Sequence, residues 1–169
     1  MYYLKLKKGL AAVALAPLLL TGCEQGINTY APDQSPTQLS DWGLLSVDGS
    51  SLIIDEQTTP YSLNSPLFTD YAHKLRTIYV PPGQTASMEG DRISYPVGTI
   101  ITKTFYYPKG ASDGEVIKTS DNYLVGGNRL NLSQVQLIET RLLVKQAEGW
   151  QAIPYVWNSK QTDATLEIA

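Results

Sequence analysis

One cysteine and one histidine are all that this chain of 169 residues contains of either type, and the scarcity excludes much chemistry at once. A single cysteine, Cys23, forms no intramolecular disulfide, and as a catalytic thiol it would need a base within reach. His73 cannot assemble the usual zinc ligand set alone. No G-x-S-x-G elbow supplies it with a nucleophile. There is no phosphate-cradling glycine motif, EF-hand pattern or metal-binding run, and no internal repeat. The formal charge is −3, and beyond the N-terminus Lys and Arg form no cluster in the sequence. That balance speaks against nucleic acid and against a basic surface for anionic lipid.

Long apolar runs are also missing. Gly9 to Leu20 (GLAAVALAPLLL) is apolar over about twelve residues, where a bilayer-spanning helix needs about twenty. Its setting explains it. Lys5, Lys7 and Lys8 precede the run and Leu20-Thr21-Gly22-Cys23 closes it, which together form a secretory signal over residues 1–22. The closing residues match the bacterial lipobox, and on that match Cys23 becomes residue one and is lipidated on sulfur and nitrogen. More than one acyl chain anchors a protein stably. Glu24 then stands at the second position in place of the aspartate that retains lipoproteins in the inner membrane of enteric bacteria. The expected address is therefore the outer membrane, facing the periplasm. Cleavage removes three of the thirteen basic residues and leaves ten against sixteen acidic ones, a formal −6.

Residues 23–37 are polar, with Pro32 and Pro36, and read as a tether. Residues 38–169 have the length of one domain. Two short helical signals come first. Leu39, Trp42 and Leu45 recur every three residues, enough for a turn that buries the indole. Ser65-Pro66 resembles a helix start, with Leu67, Tyr71 and Leu75 forming a stripe along about ten residues. Asp70 and His73 would share a face of that helix.

The remainder reads as sheet. Residues 75–80 (LRTIYV), 99–107 (TIITKTFYY), 136–145 (QLIETRLLVK), 150–157 (WQAIPYVW) and 164–168 (ATLEI) are rich in β-branched and aromatic residues. In 136–145, Ile138, Thr140, Leu142 and Val144 alternate with Glu139, Arg141, Leu143 and Lys145, the period of a half-buried strand. Glu139 and Arg141 form an ion pair on the exposed side. Ala147-Glu148-Gly149 provides a hairpin turn, and residues 115–118 and 123–125 are candidates to pair within the long segment 108–134. The expected fold is mainly β, an antiparallel sheet or sandwich with one or two short helices.

No catalytic residue or metal ligand is assigned. Asp163, near Asn158 and Gln161, suits a cap or turn better than a polar site. Phe105, Tyr107, Trp150, Tyr155 and Trp157 are the candidate partner or ligand surface, with Tyr155 and Trp157 on one strand face and Trp150 on the other. Filling a β core is the competing role for them.

Three stretches resemble a known family. PYSLNSPLFTDYAHKLRTIYVPPG (residues 60–83), YPVGTIITKTFYYP (95–108) and ETRLLVKQAEGWQAIPYVWNSKQTDATL (139–166) are similar to the region that precedes the haem-binding part of secreted or lipid-anchored bacterial dihaem c-type cytochromes. The resemblance runs from about Leu39 to the end of the chain. It implies an association with electron transfer and a c-type cytochrome or other redox protein as partner. The family attaches haem through C-x-x-C-H motifs downstream, and this sequence contains none. No cofactor is therefore expected in this chain, haem belonging to a separate or missing domain.

Two functions follow as expectations. One is a non-catalytic, lipid-anchored β module presenting an aromatic and acidic docking surface at the periplasmic face of a membrane. The other is an envelope lipoprotein that binds or acts on saccharides, with a concave aromatic pocket and two carboxylates about 5 to 9 Å apart.

Overall fold

The computed structural model describes residues 26–65, 67–112, 115, 117–120 and 122–167; Cys23 and the signal segment lie outside them. A six-stranded antiparallel sheet dominates, built from β3 (Thr58–Pro60), β4 (His73–Tyr79), β7 (Ile100–Pro108), β10 (Val135–Gln146), β11 (Gly149–Trp157) and β12 (Ala164–Leu166) in the order β12-β11-β10-β7-β4-β3. A second sheet has the order β1-β2-β9-β8, from β1 (Leu45–Asp48), β2 (Ser51–Ile54), β8 (Leu124–Val125) and β9 (Arg129–Asn131). β5 (Ser87–Glu89) and β6 (Arg92–Ser94) make a separate hairpin.

Alternation decides which face is buried. Along β7, Ile100, Thr102, Thr104, Tyr106 and Pro108 point inward and Ile101, Lys103, Phe105 and Tyr107 outward. The inward residues join Leu45, Leu52, Ile54 and Leu130 of the smaller sheet in one core cluster, so the two sheets form a sandwich-like arrangement. Threonines on the inner face satisfy one another: Thr77 and Thr102 hydroxyls lie 2.7 Å apart, Thr104 and Thr140 2.8 Å, and the Trp157 indole donates to Thr140 at 2.9 Å. A buried hydroxyl without such a partner would cost about 1–3 kcal/mol.

The five strands read from the sequence form, with ends shifted by a residue or two. The face assignment in β10 holds for Thr140, Leu142 and Val144, whereas Ile138 is exposed. A bulge between Leu137 and Glu139 is the cause: the extra residue turns Leu137 inward in place of Ile138. Buried Gln161 serves this region, its side-chain oxygen accepting from the Leu137 amide at 2.7 Å and its amide donating to the Leu132 carbonyl at 3.3 Å.

Helix is scarcer than the two signals suggest. The first gives one 3-10 turn, Leu39–Trp42, with Trp42 fully buried. The helix expected from Ser65-Pro66 does not form among the described residues. Asp70 and Tyr71 have φ of +47° and +65°, incompatible with a right-handed helix, and residues from His73 onward pair along the whole of β4 with β7. Strand 115–118 is likewise absent from the described residues. Leu124–Val125 pairs instead with Arg129 and Leu130, through a turn in which Gly126 and Gly127 both take positive φ.

The expected tether is an ordered arm from Ile27 onward. The Asn28 amide donates to the Trp42 carbonyl at 3.0 Å, the Tyr30 ring meets Trp42 edge-on at 4.8 Å, and the Tyr155 hydroxyl donates to the Pro36 carbonyl at 2.8 Å. Gly43, at φ +73°, makes room for this arm: a Cβ there would sit 2.8 Å from the Gly26 carbonyl oxygen.

Candidate functional site

Register brings the side chains on the outward face of the six-stranded sheet into rows. Arg76 of β4 stands opposite Lys103 of β7, which stands opposite Arg141 of β10. One rung along, Lys74, Phe105 and Glu139 are aligned in the same way; one rung in the other direction come Ile78, Ile101 and Leu143. Neighbouring strands lie about 4.8 Å apart, so three cations occupy consecutive positions across the sheet. Like charges placed directly opposite destabilise a sheet.

Compensation among the described residues is partial. The Arg141 guanidinium pairs with Glu139 at 2.5 Å, which bears out the expected ion pair. Arg141 and Lys103 also flank the Phe105 ring, with Cζ and Nζ at 5.1 and 5.3 Å from its centroid. Lys74 donates to the Leu67 carbonyl at 3.1 Å. Burial, then the charges of Arg76 and Lys103, draw its ammonium below the ordinary lysine range.

Residues 61–65 and 67–72 lie as a wall beside these rows. The Tyr61 amide donates to the Arg76 carbonyl at 3.0 Å and anchors one end. At the other, Asp70 and Tyr71 turn the chain back with Ala72 bonded to the Thr69 carbonyl at 2.8 Å. Wall and sheet enclose a cavity of about 550 Å³, lined among others by Leu63, Leu67, Ile101, Phe105 and Leu143. Leu67 at the rim is 80 % exposed.

The five aromatics singled out in the sequence do not form one surface. Tyr155 and Trp157 are buried in the core, where the Tyr155 hydroxyl accepts from the Trp42 indole at 2.7 Å. Burial raises the Tyr155 phenol above its ordinary pKa. Phe105 and Tyr107 are on the outward face, and Trp150 is exposed beyond Lys145, whose ammonium lies 5.9 Å from its ring. Of the five, Phe105 is the one that lies among the cation row, beside Lys103 and Arg141.

No protein-family model, curated protein or solved structure matches the chain. The site is accordingly defined by its own geometry.

His73 opens β4 without Asp70 as a face partner; its ring packs 5.3 Å from Tyr106 and 5.7 Å from Tyr123. Among the described residues no group of three or more His, Cys, Asp and Glu is placed to hold a metal ion. Asp163 acts as a structural cap, accepting from the Ser40 amide and hydroxyl at 3.2 and 2.6 Å. Lys74 and Arg76 were not singled out from the sequence as a site. The available signal was a cation at outward-facing positions of three alternating strands, but which strands are neighbours is not written in that pattern.

Proposed function

We propose that this protein is a lipid-anchored, non-catalytic β module that docks an acidic partner at the periplasmic face of a membrane, in association with c-type cytochrome electron transfer. One observation carries the reading: Lys74, Arg76, Lys103, Arg141 and Lys145 share a single sheet face, although the mature chain has only ten basic residues against sixteen acidic ones. Segregated charge of this kind steers encounter and favours fast, salt-sensitive association. The lipobox ending at Cys23 supports the anchor, and the resemblance of residues 60–83, 95–108 and 139–166 to the pre-haem region supports a redox partner. Haem would then belong to the partner or to a further domain. Among the described residues no carboxylate lines the cavity, and nothing there favours a saccharide-cleaving reading.

Two measurements test the proposal. Intact mass of the membrane-extracted protein should show cleavage before Cys23 with acyl chains attached. Titration with acidic c-type cytochromes at about 20 and about 200 mM salt should show affinity falling as salt rises, and R76Q with K103Q should weaken it. An unlipidated product refutes the anchor; failure to bind any haem protein refutes the partner.

A further inference from the structure

The cavity beside the cation row has a composition that docking alone does not require. Its floor is apolar where Ile101, Leu143 and Phe105 point outward, and its wall is apolar at Leu63 and Leu67. Leu63 and Leu143 are both close to half exposed, and Leu67 far more so. Arg76, Lys103 and Arg141 also line it, and among the described residues Glu139, on Arg141, is the one carboxylate in an ion pair with any of the three. Like charges held opposite one another gain most when a single anion sits among them, and guanidinium groups grip carboxylate or phosphate oxygens in pairs. About 550 Å³ lies within the range of small-molecule sites, which are mostly apolar with a few convergent polar groups.

We infer that this cavity binds a small amphiphilic organic anion, its carboxylate or phosphate held by Arg76, Lys103 and Arg141 and its hydrocarbon body lying on Phe105, Ile101 and Leu143 beneath Leu67. The two halves of the site divide the recognition. The cations reject neutral and cationic analogues, while the apolar floor and wall reject small inorganic anions that cover no hydrocarbon surface. Lys74 adds positive potential at the rim, its proton affinity lowered first by burial and then by the charges of Arg76 and Lys103. The site stands whether or not the same face also docks a protein.

Calorimetric titration of the full-length protein in phosphatidylcholine nanodiscs, against empty discs, tests this with three probes of one shape: 4-phenylbutyrate, 4-phenylbutanol and 4-phenylbutylammonium. The carboxylate should bind at least about tenfold more tightly than the alcohol, a difference of about 1.4 kcal/mol, and the ammonium should not bind. R76Q with K103Q should abolish that preference, whereas L67S should weaken the carboxylate severalfold without changing the melting temperature. Should the double variant not fold, K103Q alone, with folding checked by circular dichroism, should reduce the preference. Equal binding of all three probes, no binding of the carboxylate, or binding unaffected by the variants overturns the inference. Binding of polyglutamate without 4-phenylbutyrate overturns it in favour of an acidic polypeptide.

Discussion

Lys103 sits between Arg76 and Arg141 on the outward sheet face, and its position sets charge repulsion against packing. A cation flanked by cations on both neighbouring strands repels each, while its stem and the Phe105 ring recover part of that cost. Replacing it with glutamine is expected to stabilise the fold by about 0.5 kcal/mol, read as a higher denaturation midpoint at low salt. Raising the salt should bring the two proteins together, since screening removes the repulsion from the parent. A destabilised K103Q would mean that the side chain contributes more by packing than it costs by charge. Phe105 was legible as a candidate surface residue within the strand at 99–107. Arg76 and Arg141, separated by 27 and 38 positions from Lys103, were not connected to it by anything in the linear pattern.

The element that most changes the reading of the chain is the arm before the 3-10 turn. Its proline-containing, polar sequence has the composition of a spacer, yet Asn28, Tyr30 and Pro36 are all bonded or packed to the domain. Composition reports the lack of an independent core in such a stretch, not whether a neighbouring domain offers it hydrogen-bond partners. Gly43 is where this can be broken. Gly43→Ala places a Cβ on a left-handed residue and 2.8 Å from the Gly26 carbonyl oxygen, and should destabilise the protein by about 2 kcal/mol. Hydrogen exchange at Asn28 should accelerate more than at β10 amides; uniform acceleration would show that the arm does not open separately. With a lipidated Cys23, only residues 24–26 would separate the anchor from the held arm, a reach of roughly 10 Å, so the domain would ride close to the membrane surface.

At the scale of the molecule, buried phenols link the packing to pH. Burial, reinforced by Tyr123, pushes the Tyr106 hydroxyl up to about 12, and burial also raises Tyr155. An unfolded tyrosine loses its proton near pH 10, so between about pH 10 and about 12 the folded state binds more protons than the unfolded one. Stability should therefore be fully retained below that window and fall as pH rises through it. Tyr106→Phe should flatten the decline, which denaturant titration between about pH 9 and about 11.5 would resolve; an unchanged slope would assign the decline to other groups.

β-Branched and aromatic enrichment, with period-two alternation along residues 136–145, determined that this protein is mainly β and where its longest strands lie, because such side chains suit a pleated surface and a strand with one buried face writes that face into every second residue. It also determined that Glu139 and Arg141 pair, since residues two apart on a strand share a side. The helix after Ser65 fails because stripe spacing over ten residues is also met by a loop running into a strand, and strand pairing with β7 took the segment. The aromatic surface divides because Tyr155 and Trp157 lie on the inward face of β11, and which face is inward depends on the second sheet. Only the tertiary structure decided that Arg76, Lys103 and Arg141 meet, because strand order and register join positions far apart in the chain through backbone hydrogen bonds that carry no side-chain signature.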